Sequence, residues 1–219
     1  MIIIWETFSY QLHSVDYLFR KDKIIELITL LGSVVRLEPL SEEHIPDLAI
    51  AGQDKNIWQY MLYGNVTTEA HMQTWVRDIL SRQARGTDLP FAIIHLGTNR
   101  AIGATRFLDI RSDHRGVEIG GTWLQVGYQR KAVNTECKYL MMTHAFETWK
   151  CIRVQFKTDL RNIRSQQALE RIGAKQEGIL RNHLITPSGQ IRDSVYYSII
   201  DSEWPAVKDN LEFLLRSRY

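Results

Sequence analysis

The stretch from Val126 to Glu136 reads VGYQRKAVNTE and joins a strand-like run, VEIGGTWLQ, to a helix-like run, CKYLMMTHAFETWK. A strand, a short loop and a helix in that order gather consecutive backbone N–H groups and a helix N-terminus at one point, which suits a phosphate. Gln129 opens the loop, Arg130 and Lys131 add positive charge, Ala132 and Val133 follow, and Asn134 or Thr135 can cap the helix. Phosphate loops are commonly rich in glycine, whereas this one has a single glycine, Gly127, at its entry. Alanine adds only a methyl, and the amides of other residues donate equally well, so the composition does not exclude an anion. It does require that the side chains of Ala132 and Val133 point away from it. An ordinary surface connection with two solvated basic residues is the competing reading.

Cys137 follows in the first turn of the same helix, where a thiolate would be stabilised. With Leu140, Met141, His144 and Ala145 it also forms one apolar helical face, which predicts a buried core thiol instead.

The elements around this loop follow from periodicity. VVRLEPL from Val34 is a short strand, and Ser41 can cap a helix after it. Thr67 or Thr68 caps a second helix with Met72, Trp75, Val76 and Ile79 at helical spacing. PFAIIHLG and RAIGATRFLDI read as a hairpin turning at 97–100, and VEIGGTWL as the next strand. Alternation along that strand places Val117, Ile119 and Trp123 on one face and Glu118, Gly120 and Thr122 on the other. CIRVQFKT alternates with Ile152, Val154, Phe156 and Thr158 together, and Asn162 or Ser165 starts a further helix. Two strands around Pro187–Gly189 and a helix from about Trp204 complete the order.

This order gives an α+β fold with a mostly antiparallel sheet and one strand–helix–strand crossover at 117–158, where two parallel strands can splay. Residues 1–32 read as an N-terminal extension, with 24–32 able to form a helical arm stopped by Gly32, and 33–219 as one domain.

Bulk properties narrow the function classes. Lys+Arg of 27 against Asp+Glu of 25 leaves a net charge of +2, which is no footprint for nucleic acid. Two cysteines suit a reducing compartment, and no Cys-x-x-Cys or His-Glu-x-x-His spacing predicts a metal. No apolar run approaches the ~20 residues of a membrane span, and MIIIWETFSYQ lacks the marks of a signal peptide. A cytoplasmic protein, monomer or homodimer, without nucleic-acid or membrane partner is expected.

Three segments, EIGGTWLQVGYQRKAVNTE, CIRVQFKTDLRNIRSQQALERIGA and ILRNHLITPSGQIRDSVYYSI, together resemble the GCN5-related N-acetyltransferases (GNAT), nearest the branch of ribosomal-protein N-terminal acetyltransferases. The resemblance runs from about Val34 to Asp201. It implies a twisted GNAT-type sheet and acetyl-coenzyme A as cosubstrate. In that family a loop of roughly Gln/Arg-x-x-Gly-x-Gly/Ala binds the pyrophosphate, which assigns Gln129, Arg130, Lys131, Ala132, Val133, Asn134 and Thr135 to the cofactor. It further implies that Trp123 and Leu124 offer backbone groups to the pantetheine arm, and that Asn162 and Ser165 face the cofactor.

Glu118 would then be a carboxylate beside the splay, placed to take a proton from an attacking amine or merely to hold neighbouring backbone. Many relatives carry a tyrosine later in the helix after Asn162. Here Ala168-Leu169-Glu170-Arg171 stands there, so Ser165 is the remaining hydroxyl candidate for catalysis. The implied reaction is acetyl transfer to a primary amine, a protein N-terminus or a small molecule, by direct attack in a ternary complex. A non-catalytic coenzyme A-binding sensor is the alternative, and a partner-binding module driven by residues 1–32 a third reading. Trp58, Tyr60, His71 and Trp75 are candidates for core or acceptor contacts. Arg181, His183, Arg192 and Asp193 are candidates for an acceptor entrance or an exposed salt-bridged face.

Overall fold

The computed structural model describes residues 26–217. Eight strands form one sheet: β1 (Leu30–Leu31), β2 (Val35–Pro39), β3 (Asp88–His95), β4 (Arg100–Arg111), β5 (Gly116–Leu124), β6 (Arg153–Asp159), β7 (Lys175–Ile185) and β8 (Ile191–Ile200). Their order is β1-β2-β3-β4-β5-β6-β8-β7, antiparallel throughout except for the parallel pair β5–β6. The five longer helices are α1 (Ile45–Ala51), α2 (Glu69–Ala84), α3 (Ala132–Thr143), α4 (Ile163–Arg171) and α5 (Trp204–Ser217). This is the expected mixed α+β fold, with the crossover β5–α3–β6 as the single parallel connection among the described residues.

Strand alternation builds two cores. Leu89, Phe91 and Ile93 of β3 pack on one face with Val133, Cys137 and Met141 of α3 and Leu211 of α5. Ala92 and Ile94 face the other way, with Leu48 of α1 and Met72, Trp75 and Ile79 of α2. A strand covered on both sides is apolar throughout, which is why FAII runs without alternation. Thr68 caps α2 by accepting the N–H of His71 at 3.2 Å.

The helix expected over 24–32 is not present in its described part. Residues 26–29 are irregular, and Leu30–Leu31 is β1, antiparallel to β2. Gly32 serves a different purpose from stopping a helix: a Cβ there would lie 2.4 Å from Glu136 Cδ. The Glu136 carboxylate comes so close because it accepts four hydrogen bonds, from Ser33 N (2.8 Å), Ser33 Oγ (2.7 Å), Val34 N (2.8 Å) and Val35 N (2.7 Å). One side chain of α3 thus satisfies the amides that lead into β2. Residues 1–25 of the expected extension lie outside the described residues. Among the described residues no helix is long and apolar enough to cross a membrane.

A second correction concerns β5. Trp123 does not share a face with Val117 and Ile119. Ala104 opposes Trp123 while Arg106 opposes Gly120, so β5 carries an extra residue, and Gly121 has φ of +60°. This bulge reverses the alternation. Leu124 joins Val117 and Ile119 on the α3 side, and Trp123 joins Trp58 and Trp75 on the α1–α2 side. Ile152 likewise precedes β6 and is 41% exposed, while Val154 and Phe156 are core.

Removing the four-fold acceptor should be expensive, because the amides it serves are partly or wholly buried. Glu136→Ala should lower unfolding stability by about 3 kcal/mol, and Glu136→Gln, which keeps one acceptor oxygen, by about half of that. Urea midpoints of the two variants check this; equal midpoints for wild type and Glu136→Ala would refute the clamp.

Candidate active site

The parallel pairing of β5 and β6 is short. Gly116 opposes Arg153, Val117 opposes Val154, Glu118 opposes Gln155, and there the register ends. Beyond it β5 remains bound to β4 alone, and β6 to β8 alone. The two strands therefore splay, and the N–H and C=O groups on their facing edges are left for another partner.

Glu118 sits at the last paired position and is 4% exposed. Its Oε2 accepts from Gln155 Nε2 at 3.1 Å, and Lys157 Nζ lies 3.6 Å from its Oε1. Gln155 is itself fixed by Arg111, whose Nη2 donates to Gln155 Oε1 at 2.7 Å. A carboxylate held so has its orientation fixed and its charge partly compensated.

At the far end of β5 the chain turns through Val126–Tyr128 into α3. The helix begins at Ala132 with Lys131 as its N-cap, and no side chain caps it. Asn134 and Thr135, expected as caps, lie inside the first turn instead, so the leading amides remain open to an external acceptor. Val133 is 1% exposed and packs into the core, so its isopropyl group points away from those amides. Arg130 and Lys131 are exposed, and Arg130 holds φ of +61°, a left-handed conformation that glycine adopts without cost. The strain that a glycine would relieve is carried by an arginine.

The loop is braced rather than free. Gln129 Nε2 donates to Leu124 O at 3.0 Å, and Gln129 Oε1 accepts from Arg164 Nη2 at 2.7 Å. Arg164 is not visible as a partner in the sequence, where it is one of several basic residues after β6. Asn162 caps α4, its Oδ1 accepting from Ser165 N at 3.1 Å, so its side chain is turned to its own helix. Ser165 lies in the first turn of α4, half-buried. On α4 the family's tyrosine position is filled by core and surface residues, Leu169 being buried. Tyr197 reaches that helix from β8, but its hydroxyl donates to Glu170 at 3.0 Å, and burial together with that bond pushes it up to about 12.

The aromatic candidates divide. Trp58 and Trp75 are core, packed with Trp123 at ring separations of 4.9 and 5.8 Å. His71 is exposed on α2. Tyr60 contributes its carbonyl, which accepts from Arg192 Nη1 at 3.2 Å. Arg192 is not the exposed strand residue of one sequence reading: it is 5% exposed and 3.8 Å from the buried Asp159. Arg181 is exposed, and with His183 and Asp193 it lines an open depression of about 970 Å³ on the β7–β8 hairpin. Among the described residues no cluster of His, Cys, Asp and Glu is placed to hold a metal.

Comparison with known proteins fits this geometry. Residues 35–175 match the family model for the acetyltransferase (GNAT) domain. The chain is 26% identical over 173 residues to "Putative ribosomal N-acetyltransferase YdaF" of Bacillus subtilis, covering 78% of this chain and 92% of that protein. A GCN5-related N-acetyltransferase from Brucella melitensis superposes with a TM-score of 0.83 at 26% identity, over 90% of this chain and 89% of the other. An acetyltransferase structure from T. thermophilus gives 0.78 at 35% identity, over 85% and 96%.

A reactive thiolate at Cys137, one of the two readings of its place at the start of α3, finds no support in the geometry. Cys137 is fully buried and Cys151 is 3% exposed, and burial pushes both thiols up to about 12. Neither should react with Ellman's reagent at about pH 8 in the native protein, while both react in denaturant. Rapid native labelling of one thiol would contradict the placement of Cys137 or Cys151.

Proposed function

We propose that this chain, which belongs to the acetyltransferase (GNAT) family and is an acetyl-coenzyme A-dependent N-acetyltransferase, acetylates a protein N-terminus by direct attack in a ternary complex. The observation that carries the mechanism is the end of β5–β6 pairing at Glu118, with uncapped α3 amides at the other end of the same strand. One groove then offers edge hydrogen bonds along its length, an anion site at one end and a carboxylate at the other.

The chain's residues fit the cosubstrate. The amides of Ala132, Val133 and Asn134, with Arg130 and Lys131 beside them, would receive the pyrophosphate. Trp123 and Leu124 belong to the β5 segment that would pair with the pantetheine arm in the manner of an added strand. The Leu124 carbonyl already accepts from Gln129, so there the free partner is the N–H side of the strand edge. When bound, acetyl-coenzyme A supplies an activated acetyl group on a thioester.

Glu118 would accept a proton from the incoming ammonium, since only the neutral amine is nucleophilic. Its bond from Gln155 keeps it aimed while the proton arrives. Backbone N–H groups of the β5 edge would polarise the thioester carbonyl. With no tyrosine on α4, Ser165 is the hydroxyl candidate for the role of acid. A thiol has a reference pKa of about 8.5, so the departing thiolate needs little acid assistance.

A peptide acceptor is favoured by two features. The depression on the β7–β8 hairpin is open along strand residues rather than a closed pocket. The Bacillus subtilis relative also carries a name that refers to the ribosome.

Glu118→Gln should lower kcat about a hundredfold while leaving acetyl-coenzyme A affinity within about twofold. Free-thiol release measured over a panel of peptides and small amines tests the wider reading. Cofactor binding without thiol release from any amine would replace it with a coenzyme A sensor, and release with small amines alone would overturn the peptide acceptor.

A further inference from the structure

Lys138 follows Cys137 in α3, a helix whose Cys137, Met141 and Met142 all belong to the core. It is 6% exposed, and its Nζ donates to Thr122 Oγ1 at 2.9 Å. Thr122 in turn lies 2.8 Å from Thr105 Oγ1, whose hydroxyl donates to Met141 Sδ at 3.5 Å. On its other side the ammonium stands 5.6 Å from the centre of the Phe156 ring.

Thr122 belongs to β5 and Phe156 to β6, and both lie past Glu118 and Gln155, where the two strands have parted. The lysine thus crosses the floor of the splay from the α3 side. An ammonium has three N–H donors, and among the described residues only Thr122 accepts one. Among the described residues no carboxylate lies within ion-pair distance of it. The charged groups on the elements around it are engaged elsewhere: Glu136 with residues 33–35, Glu118 with Gln155 and Lys157, and Asp159 with Arg161. Arg171 of α4 reaches Thr135, one turn away. An unpaired buried ammonium is costly, and a methionine would fill the same space without that cost.

We propose that Lys138 is a cofactor-binding residue: its ammonium donates from below to an oxygen of the ligand seated in the splay, such as an amide carbonyl of the pantetheine arm. This rests on the acetyl-coenzyme A reading of the groove and adds to it a contact from the helix side. Burial pulls the Lys138 amine down to about 8, so its charge is lost within the working range of an assay. The sign follows. Ligand oxygens favour the ammonium, so affinity is full below about pH 8 and falls as pH rises through that value.

The test is calorimetric titration of acetyl-coenzyme A into wild type and Lys138→Met at about pH 7 and about pH 9, on either side of the amine's titration, with melting temperatures of both proteins. Wild type should bind about fivefold more weakly at the higher pH than at the lower, because the neutral amine keeps the remaining contacts. Lys138→Met should bind about tenfold more weakly than wild type at the lower pH, show no change between the two pH values, and melt at or above the wild-type temperature. Wild-type binding that is flat with pH, or equal affinity in the variant, overturns the role of Lys138 and leaves the cofactor reading standing. A wild type that does not bind acetyl-coenzyme A at all overturns both.

Discussion

The structure turns on the point where β5 stops pairing with β6. A sheet interior cannot leave backbone donors and acceptors unmatched without cost. The eight-stranded sheet nonetheless parts at its centre after Glu118 and Gln155. The neighbouring strands hold each half in place: β4 retains β5, and β8 retains β6 along its whole length. The bulge at Gly121 turns β5 within the parted segment, so that Trp123 anchors it to the α1–α2 core and Leu124 to the α3 core. The loop after it is fastened to β5 by Gln129 and to α4 by Arg164. The groove is therefore part of the frame, and a ligand entering it completes a sheet that already exists.

Much of this was legible in the chain. Strand periods, the 97–100 hairpin, the Thr68 cap and the crossover all follow from short-range rules, and the structure has them where those rules place them. The face of Trp123 departs from strict alternation because β5 bulges at Gly120-Gly121, and a glycine pair inside a strand is itself the signal of a bulge. Over its described part, from residue 26, the expected helical arm is replaced by an extended path for a long-range cause. Leucine-rich sequence favours a helix locally, but the demand of the Glu136 carboxylate for the amides of 33–35 fixes an extended path from the far side of the chain. No window of neighbouring residues contains that information.

The site was legible to the same degree. The strand, turn and helix start that surround the loop are contiguous in sequence, so their geometry could be read there. The helix cap could not, since the helix starts at Ala132, ahead of Asn134. Residues that meet only in space stayed hidden: Arg164 on Gln129, Gln155 on Glu118 and Arg192 on the Tyr60 carbonyl join segments 35, 37 and 132 residues apart.

The clamp on Glu136 has an electrical consequence for the groove. Glu136 and Lys138 are two positions apart, and residues at that spacing lie on different sides of a helix and cannot neutralise one another. The negative end is buried against the entry to β2, wrapped in four donors, and the positive end beneath the parting of β5 and β6. Across its width α3 therefore carries a transverse dipole in addition to the one along its axis. The axial dipole presents its positive end to the loop, and the transverse one presents its positive end to the groove floor. A ligand with an anionic head and a chain of carbonyl oxygens would meet favourable potential along both directions from one helix.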